Sequence, residues 1–296
     1  WELEQLPWST TRAQGADDCR IFAFDHRAQL EEMAGYTPAK GAAFKELCLR
    51  AARQVQAGRA GYGILCDSRI GRRALHAASG SGLWIGRPAE WPGSRPLMLE
   101  QELGPDCGGL QEWARENVVK VLCLCHPDDP PDMRAAQEET VLRLFTAARR
   151  NGLEFLLEII PSRVGPVDDS TTAMLIRQFY EIGVRPDWWK LEPMTTPAAW
   201  EAAIAAIEAH DSHTRGIVVL GLDSPEAVLG ESFRIAAAFP LVRGFAVGRT
   251  IFSEAARQWF DGQMDDAAAV TEMAARYSRL CDLWDKARAS ARREAA

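Results

Sequence analysis

The sequence predicts a closed (β/α)8 barrel, a TIM barrel, with an extra C-terminal helix. Three observations predict it. Eight short apolar, strand-like runs recur along the chain, and longer stretches with apolar residues at spacings of three and four separate them. That alternation requires a parallel sheet with crossover connections. The length, 296 residues, accommodates eight such units in one domain. A doubly wound open sheet is the rival architecture, but it usually opens on a glycine-rich phosphate loop, and neither GxGxxG nor GxxxxGK(S/T) occurs.

The elements follow in order. Residues 1–20 show no clear periodicity and are expected to form an N-terminal extension or linker ahead of a barrel spanning 21–262. The strand candidates in the first half are I-F-A-F-D (21–25), Y-G-I-L-C-D (62–67), G-L-W-I-G (82–86) and V-V-K-V-L-C-L-C (118–125). Those in the second are E-F-L-L-E-I-I (154–160), D-W-W-K-L (187–191), G-I-V-V-L-G (216–221) and R-G-F-A-V-G (243–248). The turn H-P-D-D-P-P after the fourth strand is a loop signal, and the stretch Asp132 to Arg150 beyond it has one apolar helical face. The same pattern in A-M-L-I-R-Q-F-Y-E-I-G closes on Gly183, a residue suited to a helix C-terminal cap. In the sixth strand Trp188, Lys190 and Glu192 share one face, and Asp187, Trp189 and Leu191 the other. One long polar-faced helix, from about Asp265 to Arg293, is expected to pack outside the barrel as a C-terminal segment over 263–296.

Composition narrows the function. A net charge of -7 gives no general attraction to nucleic acid or to an anionic membrane, so an anionic ligand must be met by a few placed cations. Seven cysteines form no CxxC pair and five histidines are scattered, so no metal or other cofactor is expected. Cys66, Cys123 and Cys125 lie in apolar runs and read as reduced core residues of a cytoplasmic protein, whereas Cys107 is expected at the surface. No run reaches the roughly 18 apolar residues of a membrane span, and no signal peptide is evident. A start at Trp1 rather than Met suggests a piece of a longer polypeptide.

Ionisable residues on strands carry the functional signal. Barrel active sites lie at the C-terminal ends of the strands, where Asp25, Asp67, Lys120, Glu158, Lys190 and Glu192 are predicted to converge. Lysines on strands 4 and 6 flanking a glutamate on strand 5 make a mixed-charge cluster that is costly to enclose unless paired. The structural alternative is a buried ion-pair network that fixes strand register. A lysine beside a second cation, with little water, sheds its proton more readily, and a free amine attacks a carbonyl to form a Schiff base. Lys190 is the candidate nucleophile, Glu158 the first candidate for the base that deprotonates a neighbouring hydroxyl, and Asp25 the second. In R-G-F-A-V-G-R-T-I-F, Gly248 and Arg249 stand between strand 8 and a helix, the usual phosphate position in barrels, and Gly221 after strand 7 permits a similar approach. Arg27, Arg69 and Arg163 are candidates for holding a substrate carboxylate, and His126 for a contact at the mouth. Trp84, Trp91, Trp188 and Trp189 read as core or rim packing.

With those residues in view, D-W-W-K-L-E-P, V-V-K-V-L-C-L-C-H-P-D-D, F-L-L-E-I-I and F-A-V-G-R-T resemble tagatose-1,6-bisphosphate aldolase, a class I barrel enzyme. The opening F-A-F-D-H-R-A-Q-L-E-E-M resembles more closely one branch of that group. This is the aldolase domain that follows a sugar kinase in the bifunctional 5-dehydro-2-deoxygluconokinase proteins of bacterial myo-inositol breakdown. The resemblance spans about residues 21–260 and is concentrated in the strand-end motifs. It implies a Schiff base on Lys190, assistance from Lys120 and Glu158, a site lined by Asp25, and phosphate on Gly248 and Arg249. The implied reaction is cleavage of 2-deoxy-5-keto-D-gluconate 6-phosphate to dihydroxyacetone phosphate and malonate semialdehyde. The implied partners are that small phosphorylated keto-sugar acid and a fused or associated kinase domain; a homo-oligomer is the expected assembly. One departure stands out: the strand 7 segment V-V-L-G-L-D lacks the serine that tagatose-bisphosphate aldolases place there for phosphate. Two alternatives stay open, an aldolase for another phosphorylated ketose and a non-catalytic sugar-phosphate-binding or assembly module for a kinase.

Overall fold

A computed structural model describes residues 18–294. Eight parallel strands close into a barrel in sequence order, the first pairing with both the second and the eighth. They are β1 (Cys19–Ala23), β2 (Tyr62–Leu65), β3 (Trp84–Pro88), β4 (Asn117–Cys123), β5 (Glu154–Ile159), β6 (Trp188–Leu191), β7 (Gly216–Leu220) and β8 (Val242–Val247). Two strands are displaced by two residues from their predicted runs. β1 starts earlier because Gly244, opposite Cys19 in the register, has no side chain to hold the two backbones apart. β3 starts later because Gly82 (φ +75) turns the chain where a ladder residue was expected. The remainder of the expected N-terminal extension, residues 1–17, lies outside the described residues.

The helices are α1 (Ala28–Glu31), α2 (Pro38–Gln56), α3 (Arg72–Ala78), α4 (Pro131–Arg150), α5 (Thr171–Glu181), α6 (Pro197–Glu208), α7 (Glu226–Ala236), α8 (Arg249–Phe260) and α9 (Asp266–Glu294). Their ends follow local chemistry. Thr37 and Thr196 cap α2 and α6 by accepting from the amides of Lys40 and Ala199, each with a proline at the first helical position. Gly183, at φ +91, follows α5 as its sequence position predicted. The third crossover uses short 3-10 turns, Gln101–Leu103 and Gly108–Glu112, in place of an α-helix. This connection folds onto the barrel and carries Cys107 into the core with Leu103, Leu110 and Trp113, so the expected exposure of Cys107 is corrected to burial.

Strand alternation sorts the core into two layers. Ile21, Leu65, Val118, Leu156, Trp188 and Val218 fill the barrel interior, while Phe22, Ile64, Val119, Phe155, Trp189 and Val219 pack outward against the helices. In β6 the Trp188 ring meets Trp84 edge-on at 6.0 Å inside, and Trp189 donates to the Tyr180 hydroxyl at 3.1 Å outside. Trp91 stands on the rim beneath the Arg69 guanidinium. Helix α9 seals the outside of the seam between β1 and β8. Its Tyr277 hydroxyl donates to the Arg20 carbonyl at 2.6 Å, and buried Arg288 donates to the carbonyls of Ala237 and Val242. No helix among the described residues is long and apolar enough to cross a membrane.

Candidate active site

The period of two that sends Trp188 inward also sends Lys190 inward, one layer nearer the C-terminal mouth of the barrel. Register places Glu158 of β5 directly beside it. The Lys190 Nζ lies 2.8 Å from Glu158 Oε1, and Lys120 of β4 reaches the other oxygen of that carboxylate at 2.9 Å. Lys120 also pairs with Glu90 at 2.8 Å and with Asp25 at 3.3 Å. These five residues are 3% to 7% exposed.

Opposite charges decide the ionisation of this enclosed group. Burial alone would favour a neutral Lys120, but Glu158, Glu90 and Asp25 outweigh it and hold the ammonium well above the ordinary lysine range. Burial would likewise raise Asp25 and Glu158; Lys120 and Lys190 prevail and hold both carboxyls below their usual values. The cluster is therefore a set of charged carboxylates around a fixed cation.

Above it opens a cavity of about 460 Å³, within the size range of small-molecule sites. Asp25, Lys120, Glu158, Lys190, Gly221, Gly248, Arg249, Arg27 and Arg163, all singled out from the sequence, line it. Gly248 is required by space: a Cβ there would lie 2.1 Å from the Ala23 carbonyl oxygen and 2.6 Å from the His26 ring. Arg249 opens α8 and pairs with Asp223 at 3.1 Å. Arg163 lines the cavity and has no ion pair among the described residues.

Arg27, although it borders the cavity, and the remaining candidates are committed to other partners. Asp67 turns away from the lining to meet buried Lys45 and the Ile70 amide, and Lys45 in turn donates to the His26 carbonyl at 3.0 Å. His126 is held at 2.8 Å from the Pro166 carbonyl oxygen, outside the cavity wall. Arg27 gives its guanidinium to Glu100 at 2.7 Å and to Glu90 at 3.2 Å. Arg69 pairs with Glu31, and Glu192 accepts from Ser162.

The sequence reading missed several lining residues, among them Asp223, Glu90 and His26. Glu90 lies just past β3, where G-R-P-A-E offered the signal of a carboxylate beyond a strand end; its Oε2 accepts from the Leu122 amide at 3.1 Å. His26, next to Asp25, presents a ring whose Nδ1 is buried without a hydrogen-bond partner, 3.9 Å from the Asp25 carboxylate. Burial pushes its pKa down to about 4, against the pull of Asp25, so the ring is neutral at pH 7. No group of three or more His, Cys, Asp or Glu among the described residues is placed to hold a metal ion.

The architecture is a TIM barrel. The chain belongs to the family described as "Uncharacterized protein conserved in bacteria (DUF2090)", whose model matches residues 1–288. Among solved structures it is similar to fructose-bisphosphate aldolase from Plasmodium falciparum, in a complex with TRAP and a small-molecule inhibitor. The TM-score is 0.64 at 12% identity, over 96% of this chain and 94% of that one. It is also similar to Cgl0159 from Corynebacterium glutamicum, with a TM-score of 0.57 at 19% identity over 90% and 88% of the two chains. At these identities the likeness is one of fold. No curated protein matches the chain in sequence.

Proposed function

We propose that the protein is a class I aldolase that cleaves 2-deoxy-5-keto-D-gluconate 6-phosphate to dihydroxyacetone phosphate and malonate semialdehyde. The observation that carries this reading is the shared carboxylate: Glu158 lies 2.8 Å from Lys190 and 2.9 Å from Lys120, under an open cavity. Lys190 loses a proton to Glu158 or to water, and its amine adds to the C5 ketone. Loss of water gives an iminium. Glu158 or Asp25 then takes the proton of the C3 hydroxyl, the C3–C4 bond breaks, and its electron pair moves into the enamine. Malonate semialdehyde departs, C4 is protonated, and water releases dihydroxyacetone phosphate. Lys120, held cationic, stabilises negative charge developing at the C3 oxygen.

The two ends of the substrate have different requirements. Gly221, Gly248 and Arg249 suit a phosphate: close backbone approach beside a guanidinium. On another stretch of the lining, Leu122, Leu124 and Ile160 are apolar, and Arg163 supplies one cation, which favours a carboxylate there over a second phosphate.

Borohydride trapping tests the reading. Incubation with the keto-sugar phosphate or dihydroxyacetone phosphate, reduction and peptide mapping should place the adduct on Lys190. Lys190→Ala should lose both adduct and cleavage; cleavage that survives this substitution ends the proposal. Faster turnover of tagatose 1,6-bisphosphate would move the substrate to the bisphosphate class.

A further inference from the structure

We propose that Asp223 is an internal competitor for Arg249, a tethered carboxylate that an incoming anion must displace before the phosphate end of the cavity can be occupied. The proposal rests on the phosphate-end reading above and adds what controls that end. After β7 the chain turns through Leu222 and Asp223 at φ +48 and +64, left-handed values that residues with side chains adopt only at a cost. Hydrogen bonds hold the turn: the Ser224 amide donates to the Gly221 carbonyl at 2.9 Å, and the Thr250 hydroxyl donates to the Ser224 carbonyl at 2.9 Å. The result sets the Asp223 carboxylate 3.1 Å from Arg249 Nη1.

Location gives this pair its consequence. Arg249 and Asp223 line the inner cavity and also an outer groove of about 930 Å³, so the pair stands where the two spaces meet. The other arginines of the groove have acidic partners of their own: Arg257 with Glu254 at 2.6 Å, Arg276 with Glu272 at 2.5 Å and Arg279 with Glu226 at 2.9 Å. They are not free to draw Asp223 away. An anion entering the cavity therefore binds only the fraction of molecules in which Arg249 has let Asp223 go, and its apparent affinity falls by that fraction. A phosphate dianion, with two charges and three acceptor oxygens, overcomes the competition at lower concentration than a carboxylate does. Asp223 lowers both affinities by the same fraction, so it is the dianion's own stronger hold on Arg249 that sends the phosphate end of a substrate to β7 and β8 and leaves its carboxylate end for Arg163.

The test is a double-mutant cycle on the full chain, titrated calorimetrically with inorganic phosphate and with acetate. Asp223→Asn should tighten both anions by about the same factor, roughly threefold to tenfold, because the carboxylate competitor is gone. In an Arg249→Ala background, Asp223→Asn should change nothing. Unaltered affinity in Asp223→Asn overturns the proposal while the phosphate-end assignment stands; a gain that persists without Arg249 overturns both. Phosphate binding that survives Arg249→Ala, or no phosphate binding in any of the proteins, overturns the assignment and the proposal with it.

Discussion

Lys120 is the cation on which the enclosed carboxylates converge, and replacing it with methionine turns that geometry into a measurable cost. Glu158, Glu90 and Asp25 stand 2.9, 2.8 and 3.3 Å from its Nζ. Methionine keeps much of the stem and removes the charge. Breaking one buried pair costs about 3–5 kcal/mol. Three carboxylates lose a partner here, but Glu158 keeps Lys190 at 2.8 Å, and Glu90 keeps Arg27 at 3.2 Å and the Leu122 amide at 3.1 Å. The loss at pH 8 should therefore be close to that of one pair, about 3–5 kcal/mol, or a fall in Tm of about 6–20 °C for a chain of this size. Its pH dependence has a definite sign. In the parent protein the depressed carboxyls of Asp25 and Glu158 contribute stability that is present above the unfolded carboxyl range and lost as pH falls through their folded values. That contribution is flat between pH 5 and pH 8. Without Lys120 burial raises the Asp25 carboxyl instead, so the variant loses stability as pH rises above about 4. Urea unfolding of both proteins at pH 5 and pH 8 should show the larger deficit at pH 8. A deficit below about 1 kcal/mol, or one equal at the two pH values, would refute the assignment of Lys120 as the charge that makes the cluster tenable.

Two further outcomes follow from single contacts. Glu90→Gln keeps an acceptor for the Leu122 amide but removes one negative charge from Lys120, so kcat for the proposed cleavage should fall about ten- to a hundredfold with little change in KM; steady-state kinetics that move KM instead would make Glu90 a binding residue. Gly244→Ala places a Cβ 1.7 Å from the Cys19 carbonyl oxygen at the barrel seam and should cost about 1–3 kcal/mol or more, read as a lowered thermal midpoint. An unchanged midpoint would mean that β1 and β8 do not approach this closely.

What could be read from the chain in advance was whatever a period of two determines. Lys120, Glu158 and Lys190 sit inside strands, so once the strands are placed their inward direction follows, and closure of the barrel brings them together. Side chains beyond strand ends obey no such rule. Asp25 and Asp67 occupy equivalent places after β1 and β2, yet one joins the cluster and the other turns to Lys45 of α2, a partner that only the packed helix supplies. Glu90 is the converse case: it follows a strand with no inward charge and begins a crossover without an α-helix, and Arg27 and Lys120 draw it into the site. His126 was read as a mouth residue, but the loop after β5 offers it the Pro166 carbonyl. In each case the local sequence permits both orientations, and a long-range partner selects one.

The same distances bear on whether this network is merely structural. An ion-pair lattice that only fixes register has no reason to treat its two lysines differently, nor to leave space above them. Here Lys120 has three carboxylates within 3.3 Å, while Lys190, among the described residues, pairs with Glu158 alone, at 2.8 Å. The heavily paired lysine is a fixed charge, because any movement sacrifices several contacts at once. The singly paired one can leave its partner at the loss of one contact, and it borders a cavity of about 460 Å³ into which an amine can reach. A division into one immobile cation and one releasable amine, joined through a carboxylate that touches both, supports covalent chemistry at Lys190 more than it supports a scaffold.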